Sequence, residues 1–246
     1  MMLEGLLNEG VEIRKGQVTM FAAPPGAGKS ALVHALLHHG AGRQKKNTTL
    51  YFSADSGSEV MYERAGALSA RLDMTTIRQM IEAGNTGQVD AAITARESHI
   101  TWDFTSSPSQ EHVLMALEAY LELHGEFPEV IVMDNLKDLA DDQDADEFRA
   151  LEDAVMFLKD LARDTGAAVL TLHHVGGAFE DSTQAIPLSG LRGKVSKTPA
   201  LIFTMHRPSD DELRVSVVKN RSGKADASGR FWVPVGINLS RMEFRG

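Results

Sequence analysis

The sequence contains no cysteine, no long apolar run and no overall excess of positive charge. The absence of cysteine excludes disulfides, cysteine–zinc sites and thiol catalysis. No apolar run has the length that a bilayer span needs, and residues 1–16 lack the basic-then-apolar layout of a signal peptide. A net charge of −9 argues against a protein that coats nucleic acid by bulk attraction. We therefore expect a cytoplasmic protein without a membrane partner.

What is present is an ordinary globular composition with an uneven charge distribution. Apolar residues make up 43% and charged residues 24% of the 246 residues, which suits one large α/β domain over residues 1–246. Residues 185–246 hold 11 Lys+Arg against 5 Asp+Glu, so this quarter of an acidic chain is basic. The basic quarter leaves room for a local contact with phosphate, from a nucleotide or from nucleic acid.

Strand-like runs alternate with helical patterns along most of the chain, which predicts a central, mostly parallel sheet flanked by helices. A long loop is predicted at about 176–199, and the strands after it are expected to be antiparallel. The predicted strands are 17–22, 49–53, 100–104, 129–133, 168–172, 200–206, 213–219 and 230–235.

The strongest motif lies between a predicted strand and a predicted helix, and reads Ala23-Pro24-Pro25-Gly26-Ala27-Gly28-Lys29-Ser30. The backbone N–H groups of such a loop, with the helix N-terminus, would form an anion nest for a β-phosphate. Lys29 would reach the β- and γ-phosphates, and the Ser30 hydroxyl would bind Mg²⁺. Ala23 replaces the first glycine of the usual pattern. An ordinary Gly/Pro turn is the alternative, but the context and the intact Gly-Lys-Ser favour nucleotide binding.

Two further predicted strands end at or near a carboxylate. An apolar strand leads to Asp134. In ATPases with a phosphate-binding loop of this kind, an Asp at the end of such a strand holds Mg²⁺, directly or through water. Asp55 follows the strand at 49–53 and would orient and polarise an attacking water. The alternative for Asp55 is a helix N-cap, because Asp55 and Ser58 both precede a helical pattern.

Two basic pairs remain. His173 and His174 end a strand and point to opposite faces, so a metal site is not expected, and His174 is the candidate for sensing a γ-phosphate. Lys219 and Arg221 lie two residues apart at a strand end, where their side chains project the same way if the strand continues. A solvated, charged turn is the alternative for this pair.

Together these motifs resemble the RecA-like P-loop ATPase core of the DnaB-type replicative ring helicases, in the family's order and over nearly the whole chain. The resemblance implies ATP and Mg²⁺ as cofactors, single-stranded DNA as a partner, and a homo-oligomeric ring, expected to be a hexamer. It implies that Lys219 and Arg221 reach a neighbouring subunit's ATP, with the arginine acting as a finger in trans. Asp55 stands where the family has a catalytic Glu, and His174 stands where it has a γ-phosphate sensor.

The resemblance also implies two loops that line a DNA channel. The second loop carries Arg192, Lys194 and Lys197, which would follow a single-strand backbone without reading bases. The phosphate-binding motif begins near Ala23, so the N-terminal domain of full-length replicative helicases is expected to be absent. The chain then looks like the stand-alone cores of phages and plasmids, which would act in the host cytoplasm.

The first channel loop does not fit the pattern, because it is acidic. A solvated helix start is one explanation, and a second metal site for phosphodiester hydrolysis is another, so a DNA nuclease on this fold is an alternative function. A recombinase or regulatory RecA-like ATPase is a third, although no Phe-x-x-Ala motif occurs. The acidic residues are Asp138, Asp141, Asp142, Asp144, Asp146 and Glu147.

Overall fold

The computed structural model describes residues 10–39, 46–139, 147–191 and 193–246. Within these ranges, the strands form a nine-stranded sheet in the order β3-β2-β4-β5-β1-β6-β7-β8-β9. They are β1 (Val18–Ala23), β2 (Thr49–Ser53), β3 (Ile100–Asp103), β4 (Val130–Asp134), β5 (Ala168–His174), β6 (Leu201–His206), β7 (Glu212–Asn220), β8 (Trp232–Asn238) and β9 (Glu243–Arg245).

The sheet has a parallel half and an antiparallel half. The strands from β3 to β6 pair in parallel, whereas β7, β8 and β9 continue the sheet by antiparallel pairing. The predicted fold class, an α/β fold with C-terminal antiparallel strands, is confirmed. Every residue of β1 and β4 is buried, because helices cover both faces of a parallel sheet.

Helices α1 to α4 pack on one face of the sheet, and helices α5 to α7 pack on the other. Their bounds are α1 (Lys29–His39), α2 (Ser58–Ala70), α3 (Met74–Glu82), α4 (Gly87–Glu97), α5 (Gln110–His124), α6 (Leu136–Leu139) and α7 (Glu147–Thr165). Among the described residues, no helix is long and apolar enough to cross a membrane.

A buried carboxylate fixes the position of α1, the helix that begins with the Gly-Lys-Ser motif. Glu97, at the end of α4, contacts His34 Nε2 at 3.0 Å and His38 Nδ1 at 2.7 Å. Burial raises the pKa of Glu97, but the two histidines outweigh it and lower the pKa to about 2. The ionised carboxylate therefore ties α1 to α4 from inside the core.

The structure differs from the predicted elements mainly in short segments. The long helical pattern after residue 58 is divided into α2, α3 and α4, and the structure adds α6 and β9. Strand β5 extends to His174 instead of ending at residue 172. The predicted loop at 176–199 holds three short 3₁₀ turns, and its Ile186 carbonyl accepts a 2.8 Å bond from the Thr204 hydroxyl of β6. This loop is therefore attached to the sheet.

Candidate functional site

The Gly-rich loop, residues 24–28, connects β1 to α1 at the carboxyl edge of the parallel strands. Gly26 has φ +74° and Gly28 has φ +97°, which is backbone that residues with a Cβ rarely adopt. The turn is closed by a 3.4 Å bond from Ala27 N–H to the Pro24 carbonyl, and Leu32 N–H donates to the Gly28 carbonyl at 2.9 Å. The two glycines allow the chain to turn directly into the first turn of α1.

Lys29 is buried beneath this loop, with a relative exposure of 5%. Its Nζ donates to the carbonyls of Ala23 at 3.0 Å and Pro24 at 2.9 Å, and lies 3.1 Å from His174 Nδ1. Burial lowers the pKa of Lys29 to about 8, although Asp134 and Asp55 act in the opposite direction. The ammonium group is thus held by neutral acceptors, without a direct carboxylate partner among the described residues.

Asp134 ends β4 directly across from the loop and is 2% exposed. The Tyr51 hydroxyl donates to its Oδ2 at 2.8 Å, and Ser30 lines the same cavity. Burial raises the pKa of Asp134 above its usual value, against the opposing effect of the Ser30 and Tyr51 hydroxyls. Ser30 and Asp134 are therefore close enough to share one divalent cation.

Asp55 lies at the same edge, just after β2, and its carboxylate is exposed to the cavity. Its N–H donates to the Asp134 carbonyl at 3.2 Å, which places it beside the Asp134 backbone. The N-cap alternative for Asp55 is wrong, because the N-cap of α2 is Gly57 and no side chain caps that helix. Arg64 of α2 also lines the cavity, and its Nη1 is 3.4 Å from Ser56 Oγ.

The two histidines at the end of β5 point to opposite faces, as predicted. His174 reaches Lys29 through Nδ1, and its Nε2 lies 3.2 Å from Asn135 Nδ2. Burial, with Lys29 nearby, lowers the pKa of His174, so the ring is neutral near pH 7. His173 is buried on the other face, and burial lowers its pKa to about 4. The described residues provide no hydrogen-bond partner for either of its ring nitrogens.

One cavity of about 230 Å³ brings these side chains together. The predicted residues that line it are Gly26, Gly28, Lys29, Ser30, Asp55, Asp134 and His174. Its other lining residues, which sequence reasoning did not single out for function, are Ala31, Arg64, Met74, Leu239 and Met242. The one available signal was Arg64, a cation on the apolar side of α2. Met74, Leu239 and Met242 look like ordinary core residues in the sequence.

Lys219 and Arg221 lie at the opposite edge of the sheet. Lys219 pairs with Ile202, which pairs with Met20, and Arg221 N–H donates to the Ala200 carbonyl at 2.9 Å. At ~3.3 Å per strand residue, this register separates Arg221 from the Gly-rich loop by roughly 17 Å along the strands. The structure therefore does not bring this pair into the cavity of its own chain.

Both cations of the pair are held by the main chain of the long loop. Lys219 Nζ donates to the carbonyls of Ser196 at 2.6 Å and Lys197 at 2.8 Å, and Arg221 Nη2 donates to the Lys197 carbonyl at 2.9 Å. Burial, with the neighbouring Arg221, lowers the pKa of Lys219 to about 8. Their side chains do project the same way, as the strand spacing predicts.

The predicted nucleic-acid residues are partly described. Lys194 and Lys197 are exposed, and Lys194 Nζ is 3.7 Å from Glu152 Oε1. Arg192, together with Asp141, Asp142, Asp144 and Asp146, lies outside the described residues. Within the described part of the chain, no group of three or more His, Cys, Asp or Glu side chains is arranged to hold a metal ion.

The fold agrees with what comparison with known proteins finds. The sequence profile of the DnaB-like helicase C terminal domain matches residues 6–233, so the chain belongs to this family. The resemblance predicted from the motifs is confirmed. Membership makes the chain an ATP-binding hydrolase of the helicase class, which serves DNA replication.

Two phage proteins are similar to most of the chain. The Gene 65 protein of Mycobacterium phage L5 is 36% identical over 228 residues, covering 90% of this chain and 83% of that protein. The Gene 65 protein of Mycobacterium phage D29 is 37% identical over 223 residues, covering 86% of this chain and 91% of that protein.

Two solved structures share the fold. The ATPase domain of G40P superposes with a TM-score of 0.81 at 16% identity, covering 99% of this chain and 89% of that one. A DnaB-like replicative helicase, whose structure was described with its interactions with primase, gives a TM-score of 0.80 at 16% identity. That alignment covers 95% of this chain and 58% of the other.

Proposed function

We propose that this chain is an ATP-driven motor on single-stranded DNA, a helicase or translocase that hydrolyses Mg-ATP between the subunits of a homo-oligomeric ring, most simply a hexamer. Residues 1–246 would form the single ATPase domain of each subunit. The observation that carries the proposal is the division of the charged side chains between two edges of one sheet. Lys29, Asp55 and Asp134 line one cavity, whereas Lys219 and Arg221 lie too far away to reach it.

The residues of the cavity fit a magnesium-bound nucleoside triphosphate. The Gly-rich loop leads into α1 with the backbone that a β-phosphate needs, and Lys29 holds its charge against burial with only carbonyls and a neutral imidazole as partners. A polyphosphate would supply the missing opposite charge. Ser30 and Asp134 supply the oxygen ligands that Mg²⁺ prefers. When bound, Mg-ATP provides the transferable γ-phosphoryl group, with the metal neutralising its developing charge.

The roles of the other cavity residues follow from where they lie. Asp55 is the exposed carboxylate and is placed to orient the attacking water and accept its proton. It is one methylene shorter than the Glu of the family, so slow turnover is expected. His174 contacts both Lys29 and Asn135. A change at the γ-phosphate would therefore shift the end of β5, where the long loop begins. Arg64 adds a second cation in the same chain.

Arg221 is proposed to act on the ATP of the neighbouring subunit, with Lys219 beside it. An arginine that contributes in trans stabilises charge on the transferring phosphoryl group, so hydrolysis depends on assembly. Both side chains are held by loop carbonyls, which are neutral acceptors and can be exchanged for a phosphate without leaving a buried charge unpaired.

The long loop is proposed to follow the single strand. Lys194 and Lys197 are exposed there. Together with Arg192, which lies outside the described residues, they would neutralise phosphates without contacting bases. The Lys197 carbonyl accepts bonds from Lys219 and Arg221, so the loop that would touch DNA also contacts the pair that would touch the neighbour's nucleotide. This contact supplies a direct route for coupling hydrolysis to DNA.

The experiment is phosphate release from Mg-ATP by the purified protein, with and without single-stranded DNA. We expect DNA to stimulate release, and Lys29→Ala to abolish both nucleotide binding and hydrolysis. Asp55→Asn should keep nucleotide binding but lower kcat by about 10²-fold, because it removes only the general base. Hydrolysis that ignores DNA, or that survives Lys29→Ala, contradicts the proposal.

A further inference from the structure

Asp134 is held through both its main chain and its side chain by β2 and the residues that follow it. The Asp134 carbonyl accepts from the N–H groups of Ala54 at 2.8 Å and Asp55 at 3.2 Å. Its Oδ2 accepts from the Tyr51 hydroxyl of β2 at 2.8 Å. Three donors from one short segment therefore fix the position of the proposed magnesium ligand.

Tyr51 supports Asp134 from behind the cavity wall. Its relative exposure is 0%, and of the described residues that line the cavity Asp134 is one and Tyr51 is not. A phenol is protonated at neutral pH, so the hydroxyl donates and the carboxylate accepts. Tyr51 therefore touches neither the nucleotide nor the metal in the proposed complex, and it can influence them only through Asp134.

Aromatic neighbours hold the Tyr51 ring in place. Tyr51 pairs with Trp102 of β3 in the sheet register, and their ring centroids lie 4.5 Å apart. Trp102 in turn stacks on Phe104 with nearly parallel rings at 6.0 Å, and it meets the His34 ring edge-on at 5.2 Å. Stacked and edge-to-face arrangements of this kind are favourable. The packing therefore leaves the Tyr51 hydroxyl little freedom to move away from Asp134.

The same aromatic cluster connects Asp134 to the helix that carries the other proposed magnesium ligand. His34 belongs to α1, the helix that begins at the Gly-Lys-Ser motif and presents Ser30. Its Nε2 lies 3.0 Å from the Glu97 carboxylate, so the ring that contacts Trp102 is itself fixed. Contacts through these side chains therefore help to set the distance between Ser30 and Asp134.

The bond to Oδ2 limits how the Asp134 carboxylate can bind a cation. With this oxygen engaged by the Tyr51 hydroxyl, Asp134 presents Oδ1 to the cavity. Mg²⁺ demands near-ideal octahedral geometry and keeps several of its waters, whereas Ca²⁺ accepts one or both oxygens of a carboxylate in flexible geometry. A carboxylate that offers one oxygen in a fixed orientation therefore suits Mg²⁺ better than Ca²⁺.

We propose that Tyr51 is a positioning residue that selects the metal: its hydroxyl holds the Asp134 carboxylate in an orientation that presents one oxygen and favours Mg²⁺ over Ca²⁺. The inference rests on the proposed binding of a magnesium-bound nucleoside triphosphate in the cavity. Groups that hold a metal-ligating side chain from outside change metal affinity by roughly 10- to 100-fold when they are removed. An effect of this size is measurable by equilibrium binding.

The experiment measures how much a metal strengthens nucleotide binding. The dissociation constant of a fluorescent ATP analogue is determined on the purified protein in EDTA, in saturating Mg²⁺ and in saturating Ca²⁺. We call the ratio of the metal-free value to each metal-bound value the metal gain. Because the metal gain compares one variant with itself, an effect on nucleotide binding alone cancels.

Tyr51→Phe retains the ring and removes only the hydroxyl. It should lower the Mg²⁺ gain about tenfold, because the Asp134 carboxylate loses its fixed orientation. The Ca²⁺ gain should not fall, since the second carboxylate oxygen becomes available to the larger ion. Metal-free affinity should not change. Trp102→Phe keeps the Tyr51 hydroxyl but weakens the packing of its ring, so it should lower the Mg²⁺ gain by a smaller factor, and it carries the test if Tyr51→Phe does not fold.

The matched control is Tyr62→Phe, which removes a hydroxyl that donates to Asp90 Oδ1 at 2.6 Å, a bond of the same kind between residues that do not line the cavity. It should leave both metal gains unchanged. An unchanged Mg²⁺ gain in Tyr51→Phe, or an equal loss for both metals, overturns the role of Tyr51. A wild-type protein that binds the analogue without any Mg²⁺ gain contradicts the proposed magnesium site instead, and one that does not bind it at all contradicts the proposed function.

Discussion

The carboxyl edge of the sheet, where β1, β4 and β5 end, differs from the opposite edge, where β7 ends, in how its charged side chains are held. At the first edge, Lys29 and Asp134 are 5% and 2% exposed and are fixed by contacts within the cavity. At the second edge, Arg221 is exposed and Lys219 half-buried, and both rest on carbonyls of a surface loop.

The first edge is therefore a preorganised half-site, whereas at the second edge the cations must exchange their present partners before they can bind a ligand. Buried polar groups with fixed partners need little reorganisation when a ligand arrives. Exposed cations on neutral acceptors can leave their partners easily, because the carbonyls are then free to bind water. We infer that the carboxyl edge binds a small ligand and that the opposite edge contacts a neighbouring subunit.

The largest predicted effect comes from a substitution that removes a cation of the second edge and leaves the first edge unchanged. Arg221→Ala should lower kcat for ATP hydrolysis by about 10³-fold, because an arginine finger acts on the transition state. Nucleotide binding to the isolated subunit should hardly change, since Arg221 lies outside its own cavity. Steady-state hydrolysis and equilibrium binding, measured on the same preparations, check the two halves of this statement.

Mixing two inactive variants is the control for action in trans. Arg221→Ala and Lys29→Ala are defective at opposite edges, so a mixed ring contains some interfaces with both intact halves. Activity should reappear in the mixture. A mixture as inactive as its components, despite proof that mixed oligomers form, contradicts the assignment of Arg221.

A smaller predicted effect is the pH dependence of ATP affinity, which arises from Lys29 at the first edge. With a pKa of about 8, Lys29 has lost its proton in half of the ligand-free molecules near that pH and in most of them above it. A bound polyphosphate raises this pKa, so binding takes up a proton and ATP affinity falls by at most about tenfold per pH unit above pH 8. Well below pH 8, Lys29 is charged in both states and contributes no pH dependence.

Calorimetry in buffers of different ionisation enthalpy measures this proton uptake directly. Lys29→Arg retains its charge throughout and should show a flat profile above pH 8 wherever it still binds. Asp134 gives the opposite limb: burial raises its pKa, and its protonated form is a poor Mg²⁺ ligand, so Mg²⁺-dependent affinity falls as pH falls. ATP affinity that does not change from pH 8 to pH 10 contradicts the assignment of Lys29.

The smallest predicted effect concerns the loop beside the second edge. Lys194→Ala and Lys197→Ala should each reduce the slope of log affinity for single-stranded DNA against log salt by about 0.7, the value for one lost phosphate contact. Arg78→Ala, which removes a cation of α3 paired with Glu63, is the matched control and should keep the slope. Unchanged slopes in both lysine variants would contradict the proposal that this loop contacts single-stranded DNA.

The sequence was informative wherever a local pattern determines the structure. The strand that leads to Asp134 and the Gly-Lys-Ser turn into α1 were predictable because burial and turn chemistry show in consecutive residues. The opposite faces of His173 and His174 followed from strand geometry alone. These predictions agree with the observed elements.

The remainder depends on contacts between distant segments. Nothing near Met74 indicates that its N–H pairs with the Ser240 carbonyl, and nothing near Arg241 indicates that it caps α2. Asp55 was ambiguous in the sequence because strand ends and N-caps use the same residue type, and the position of Gly57 excludes only the N-cap. Met74, Leu239 and Met242 look like core residues in the sequence, because the segments that bring them to the cavity lie far apart along the chain.

The turn between β8 and β9 lies beyond the last residue of the matched family profile. That profile ends at residue 233, whereas Leu239, Arg241 and Met242 follow it. Leu239 and Met242 nevertheless line the cavity beside the Gly-rich loop. The wall of the cavity is therefore described only in part by the pattern that defines the family.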